Sequence, residues 1–440
     1  MFSISTRSPV LRSIRSYATH ASSPLTTTQA ASGLKVVSTP EDSKLTASIS
    51  VFIKAGSRHE PLPGLAHVLK NLVFKSTQKR SALSVVREAE LLGGVLTSTL
   101  TREHLILNAE FIKGNEGYFA EVLGDVLTSS KFLPHEFDEE VVPGVISDYA
   151  QAQLDPTVNA LDLAHQLAFR RGLGHSLFAS PKSPISHQSA VDFARSAFAN
   201  ASHNAIVASG VESGVLSELV NQFFTPTSTT SLSTIPESEK SKYYGGDIRL
   251  SPDASSSDGH DTFLLAFEGG DHSTKPEFTI LQHLLGSAPA SVKWSQGISP
   301  LSSLPVKSFH LPYSDAGLFG FIIRAPSQEV KTVTNQALAE LKKIAAGNGI
   351  EKESVGRAVK KAQFLVASGL ENHILRAETL GSQIQNANAS PHHLQDVYAS
   401  YAQVTPDQVI KAAKSVLSIR PTTVAIGNVH QLPYPDDLGF

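Results

Sequence analysis

Cysteine is absent from the 440 residues, which removes thiolate nucleophiles, disulfides, Cys-ligated zinc and iron–sulphur ligation together. Any metal chemistry must use the 17 histidines and the 40 Asp and Glu residues, at spacings that let several side chains converge on one point. Few positions offer that. His392 and His393 are adjacent, so their side chains diverge on a helix or a strand, and Pro391 ahead of them reads as a solvated helix start. Gly269-Gly270-Asp271-His272-Ser273-Thr274-Lys275 faintly suggests a phosphate loop, but the second glycine before the lysine is missing and the segment reads as a turn after a strand. No G-x-S-x-G nucleophile elbow and no G-x-G-x-x-G fingerprint occurs. His67 by itself reads as a helix histidine packed against its neighbours, and Trp294 and the phenylalanines as core or interface residues. No cofactor is expected.

The elements that would position any site come in two copies. Ser50-Val51-Phe52-Ile53-Lys54-Ala55-Gly56 reads as an alternating strand ending in glycine, and Phe263-Leu264-Leu265-Ala266-Phe267-Glu268-Gly269 repeats it. Leu105 to Ile112, leading into a helix at Tyr118 to Leu127, is matched by Phe319 to Arg324 leading into Val330 to Leu341. Val207-Ala208-Ser209-Gly210-Val211 returns as Val424-Ala425-Ile426-Gly427-Asn428-Val429. Between the copies, Thr225 to Lys242 is rich in Ser, Thr and Pro and reads as a linker. Further helices are expected at Leu83–Leu92, Glu136–Ala150, Leu161–Arg171, Lys352–Val366 and Asn372–Ala387. The fold class is therefore α+β: two homologous lobes, each a mainly antiparallel sheet with helices covering one side.

One stretch carries a recognisable pattern: Gly56-Ser57-Arg58-His59-Glu60, then Gly64-Leu65-Ala66-His67-Val68-Leu69-Lys70-Asn71-Leu72. It resembles the pitrilysin-like inverted-zincin family, which includes mitochondrial processing peptidase and the core proteins of ubiquinol-cytochrome c reductase. The similarity continues through Glu90-Leu91-Leu92-Gly93-Gly94, Thr101-Arg102-Glu103 and Tyr313-Ser314-Asp315-Ala316-Gly317-Leu318-Phe319-Gly320. Active members carry H-x-x-E-H, in which two imidazoles on one helix face bind zinc and the glutamate activates the zinc water. Aligned with that motif, His67 keeps the first imidazole, Lys70 replaces the general base with a cation, and Asn71 replaces the second imidazole with an amide. The distal glutamate ligand of the family falls at Asp148 or Tyr149, depending on register. The resemblance thus implies a pitrilysin-like fold without catalytic zinc, an inactive metallopeptidase homologue with no catalytic, cofactor or metal residues.

Address and charge complete the expectation. Met1 to Ser23 holds Arg7, Arg12 and Arg15, is dense in serine, and no acidic residue occurs before Glu41, the composition of a mitochondrial transit peptide. Arg15-Ser16-Tyr17-Ala18 is similar to a matrix-peptidase site, which predicts cleavage between Tyr17 and Ala18 and, by its style, a fungal source. The expected organisation is residues 1–17 leader, 18–224 first lobe with the degenerate motif, 225–242 linker and 243–440 second lobe. A formal net charge of -3 gives no electrostatic reason to bind nucleic acid, and no apolar run is long enough to span a bilayer. Within the family, the non-catalytic processing subunit uses a glycine-rich loop to engage presequences; Gly286 to Trp294 has a single glycine there, so that subunit is the alternative reading. The core-protein branch is favoured, and Leu432-Pro433-Tyr434-Pro435-Asp436-Asp437-Leu438 is similar to its tail. That branch implies a matrix-side peripheral subunit of the respiratory inner membrane. It would pair with a core protein 1 homologue and support cytochrome b, cytochrome c1 and the iron–sulphur subunit of a dimeric complex III.

Overall fold

The structure, a computed structural model, describes residues 25–30, 33–39, 44–199, 204–224, 239–251, 259–271, 274–286, 297–348, 350–386 and 394–440. The leader with its Tyr17–Ala18 junction, most of the linker, Trp294 and the His392–His393 pair lie outside the described residues.

Two sheets organise the chain. The first joins β1 (Thr26–Gln29), β2 (Lys35–Thr39), β3 (Thr46–Ile53), β4 (Val95–Leu100), β5 (Leu105–Ile112) and β6 (Ala205–Ser209) in the order β1-β2-β6-β3-β5-β4. The second joins β7 (Gly246–Leu250), β8 (Asp261–Glu268), β9 (Val306–Pro312), β10 (Gly317–Ala325) and β11 (Thr422–Ile426) in the order β7-β11-β8-β10-β9. Apart from β1 the two orders correspond strand for strand, including, among the described residues, a single parallel pair in each, β2 with β6 and β7 with β11. The duplication read from the sequence is therefore one of topology as well.

Period-2 alternation assigns the faces. In β3, Ala47, Ile49, Val51 and Ile53 enter the main core of the first lobe with Leu105, Leu107, Ala109 and Phe111 of β5, while Phe52 points the other way. Over that core pack α1 (Leu65–Leu72), α2 (Ala82–Leu91), α3 (Glu116–Thr128), the short α4 (Pro134–Glu136), which runs through a π turn into α5 (Val142–Leu154), then α7 (His187–Ala199) and α8 (Ser213–Phe223). The helix between α5 and α7 is α6 (Pro156–Phe169), with Pro156 at its first turn and Asp155 accepting from the amides of Thr157 and Val158, the chemistry of a helix start. The second lobe has α9 (Lys275–Leu285), α10 (Ser327–Ala345), α11 (Lys352–Leu370), α12 (His373–Asn386), α13 (Leu394–Ala402) and α14 (Pro406–Leu417). Of the Gly269–Lys275 stretch, His272 and Ser273 lie outside the described residues, and Thr274 and Asp271 bond to each other ahead of α9.

The structure departs from the expectation of one-sided cover. The second face of each sheet is also apolar, and a helix of the opposite lobe lies on it. Ala160, Ala164, Ala168 and Phe169 of α6 pack on Leu264, Ala266, Val424 and Ile426 of the second sheet. Ala377, Leu380 and Ile384 of α12 pack on Val37, Phe52, Ile106 and Val207 of the first. Burying Leu380 and Ile384 stabilises this contact by about 2 kcal/mol each. Periodicity shows that a helix has an apolar stripe but does not name the sheet that receives it.

Candidate functional site

Helix α1 carries His67, Lys70 and Asn71 at i, i+3 and i+4, and therefore on one face. Helix α5 brings Asp148 opposite them. One carboxylate oxygen, Asp148 Oδ2, receives all three: His67 Nε2 lies at 3.1 Å, Lys70 Nζ donates at 3.1 Å and Asn71 Nδ2 at 3.4 Å. Of the two residues between which the register was open, Asp148 is the one whose carboxylate bonds this face of α1. The other imidazole nitrogen, Nδ1, accepts from the Ala179 amide at 3.1 Å, which makes Nε2 the protonated nitrogen and the donor to Asp148. Asn71 also turns its Nδ2 back to the His67 carbonyl at 3.2 Å. The Phe178 ring closes edge-on over His67, with centroids 5.6 Å apart, and His67 is 2% exposed.

Charge follows from this packing. Burial lowers the His67 pKa, and the neighbouring Lys70 charge adds to that against the hydrogen bond to Asp148, so the ring stays neutral. Burial alone would raise the Asp148 pKa, but the hydrogen bonds from His67 and Lys70 outweigh it and hold the carboxylate below its ordinary value. The Lys70 ammonium supplies the positive charge that compensates Asp148. Both ring nitrogens of His67 are engaged, and position 70 carries an ammonium in place of a carboxylate. Among the described residues, no group of three or more His, Asp and Glu is arranged to hold a metal ion.

A second polar cluster, away from His67 and Asp148, lies on the seam between the lobes. Arg58, in the turn after β3, grips Asp315 with both guanidinium nitrogens at 2.7 and 2.6 Å, and bonds Glu103 and Ser314 at 3.0 Å each. Ser314 donates its hydroxyl to Glu103 at 2.5 Å, and the Ser241 amide caps Asp315 at 2.7 Å. Beside it, Arg102 binds Asp162 at 2.8 Å, and Tyr313 donates to His165 Nε2 at 2.7 Å. The fork of Arg58 matches a carboxylate in two parallel bonds, the strong form of such a pair. Gly56 is required where it stands, because a Cβ there would strike the Arg102 carbonyl. Gly56–Glu60, Thr101–Glu103 and Tyr313–Asp315 are among the stretches that carried the family resemblance, and the fold brings these three to one place.

Residues 35–180 match the sequence model of a family described as Insulinase (Peptidase family M16). The chain is 42% identical over 408 residues to the protein named cytochrome b-c1 complex subunit 2, mitochondrial, of Cryptococcus neoformans var. grubii, covering 90% of each chain. It is 35% identical over 429 residues to the protein of the same name in Neurospora crassa, covering 93% of this chain and 90% of the relative. More distantly, it is 28% identical over 439 residues to the mitochondrial-processing peptidase subunit alpha of Solanum tuberosum, covering 93% and 83%.

Proposed function

This chain belongs to the cytochrome b-c1 complex subunit 2 family, a branch of the insulinase-type peptidases, and from that premise we propose that it is core subunit 2 of mitochondrial ubiquinol-cytochrome c reductase. The observation that carries the reading is the likeness to those relatives along nearly the whole chain. Its role is structural: it supports assembly of the complex that passes electrons from ubiquinol to cytochrome c, and without cysteine it offers no thiolate ligand for an iron–sulphur cluster. It pairs with a core protein 1 homologue and supports cytochrome b, cytochrome c1 and the iron–sulphur subunit on the matrix side of the inner membrane. Among the described residues no helix is long and apolar enough to cross a membrane, which supports a peripheral position. Residues 1–17 are the import leader, removed between Tyr17 and Ala18; 18–224 and 243–440 are the lobes joined by 225–242.

The positions of the family's zinc motif are His67, Lys70, Asn71 and Asp148, and their mutual saturation supports loss of peptidase activity. A catalytic zinc site keeps three protein ligands and one open position, whereas here Asp148 Oδ2 is bound by three donors. The second reading, the presequence-binding, non-catalytic subunit of the processing peptidase, is favoured by the more distant potato relative. Native electrophoresis of detergent-solubilised mitochondria separates the two. Migration with the haem-containing complex is the expected result; a soluble heterodimer that binds cationic leader peptides would favour the peptidase instead.

A further inference from the structure

We propose that residues 170–179 form a proton-controlled clasp across the seam between the lobes, and that Glu60 is the group whose charge releases it. The inference goes beyond the assembly role and does not depend on it. The segment leaves α6 through Arg170 and Gly172, both with positive φ (61° and 59°), and crosses from the second sheet to the first lobe. On one side Leu173 is fully buried in the cluster with Leu264, Ala266 and Val424, and the Arg170 guanidinium lies 4.2 Å from the centre of the Tyr244 ring. On the other side Arg102 donates to the carbonyls of Leu173 and His175 at 3.1 and 2.5 Å. His175 Nδ1 lies 3.1 Å from the Ser57 carbonyl, and the Ala179 amide bonds His67.

Glu60 lies beneath this clasp and is 5% exposed. Its Oε2 accepts from the Ala66 amide at the start of α1, at 2.9 Å. Its Oε1 is buried without a hydrogen-bond partner, and so is the Ser57 hydroxyl. The nearest ring nitrogen, His175 Nδ1, stands 3.7 Å from Oε1 and is committed to the Ser57 carbonyl. The charged and titratable groups facing Glu60 are Arg102 in the turn before β5, Asp162 on α6 and His175 on the clasp, with His59 beside it in the chain. The Arg102 guanidinium is already spent on Asp162 at 2.8 Å.

A carboxylate with one oxygen shut away from both water and donors is costly, and protonation removes that cost. Burial, helped by Asp162 and opposed by the Ala66 and Gly64 amides and Arg102, pushes Glu60 up from 4.5 to about 7. Opening the clasp admits water to Oε1 and returns the group to its ordinary value. The closed form is therefore fully favoured below 4.5, weakens as the pH rises towards about 7 and levels off above it. Within that window the open-to-closed ratio rises about tenfold per pH unit.

The test is hydrogen exchange of the full chain between about pH 5 and 8, corrected for intrinsic amide exchange and read at residues 170–179. The wild type is compared with Glu60→Gln, which keeps the oxygen that accepts from Ala66. The ratio of wild-type to variant opening should climb about tenfold per unit between about pH 5 and 7 and then flatten. Parallel opening of the two proteins across that span overturns the proposal. His175→Gln supplies an independent arm: persistence of the climb supports Glu60 as the titrating group, and its loss assigns the effect to His175 and overturns the proposal.

Discussion

Replacing Gly381 by alanine tests the crossing of α12 onto the first sheet. In a helix interior Gly→Ala ordinarily stabilises by about 1 kcal/mol, because alanine loses less backbone freedom on folding. At position 381 the new Cβ would stand 2.5 Å from three carbons of the Phe52 ring, where about 3.5 to 4 Å is comfortable. Phe52 is 0% exposed, so ring or helix must move by about 1 Å inside a filled core, and overpacking of that kind costs about 1 to 3 kcal/mol. Gly356 provides the matched reference: it lies in α11, and a Cβ there meets nothing within 4 Å. Gly356→Ala should therefore gain the full propensity term, whereas Gly381→Ala gains it and loses the packing term. Urea unfolding of the two variants side by side should place Gly381→Ala lower by about 1 to 3 kcal/mol, since the propensity term cancels. Equal stabilisation by both substitutions would refute the seating of α12 on Phe52.

Arg58→Ala strands Glu103 and Asp315 in the seam without their cation and should destabilise the chain by about 3 to 5 kcal/mol, measured by urea midpoint; Arg58→Lys should rescue little, since an ammonium cannot make the two parallel bonds to Asp315. The double substitution Lys70→Glu with Asn71→His should create stoichiometric zinc binding with His67, detected by metal analysis after dialysis; no gain over the wild type would count against these as the motif positions. His104 is 6% exposed with both ring nitrogens unpartnered, and burial lowers its pKa to about 4. Its neutral form contributes stability that is complete above 6.5 and declines as the pH falls towards about 4, by about 1.4 kcal/mol per unit. His104→Leu should flatten that acid slope by one proton and leave stability at pH 7 unchanged or higher; an unaltered slope in pH-dependent urea unfolding refutes the assignment.

Much of the architecture was legible because it rests on local periodicity. Alternation over Ser50–Ile53 and Phe263–Phe267, with glycine closing each run, predicted β3 and β8, and their common spacing from later strands predicted two homologous lobes. Helix limits were less exact: the expected start at Leu161 fell inside α6, which begins at Pro156 behind the Asp155 cap. The cluster at α1 was legible at the level of residue types, since a cation and an amide at positions 70 and 71 cannot serve as base and ligand whatever surrounds them. Asp148 could be placed only to within one residue, because one step along a helix turns a side chain by about 100°.

By its own composition and order the chain determined that it would lack thiolate chemistry, that its body would be doubled, and that a cation and an amide would stand at positions 70 and 71 beside His67. Only the tertiary structure decided that α6 and α12 change sheets, that Arg58, Glu103 and Asp315 meet, and that Glu60 keeps one oxygen without a donor. The physical reason is range. Residue type and periodicity act over a few positions of chain, whereas burial, ion pairing and proton affinity depend on neighbours that folding brings from hundreds of residues away, as Arg58 and Asp315 show.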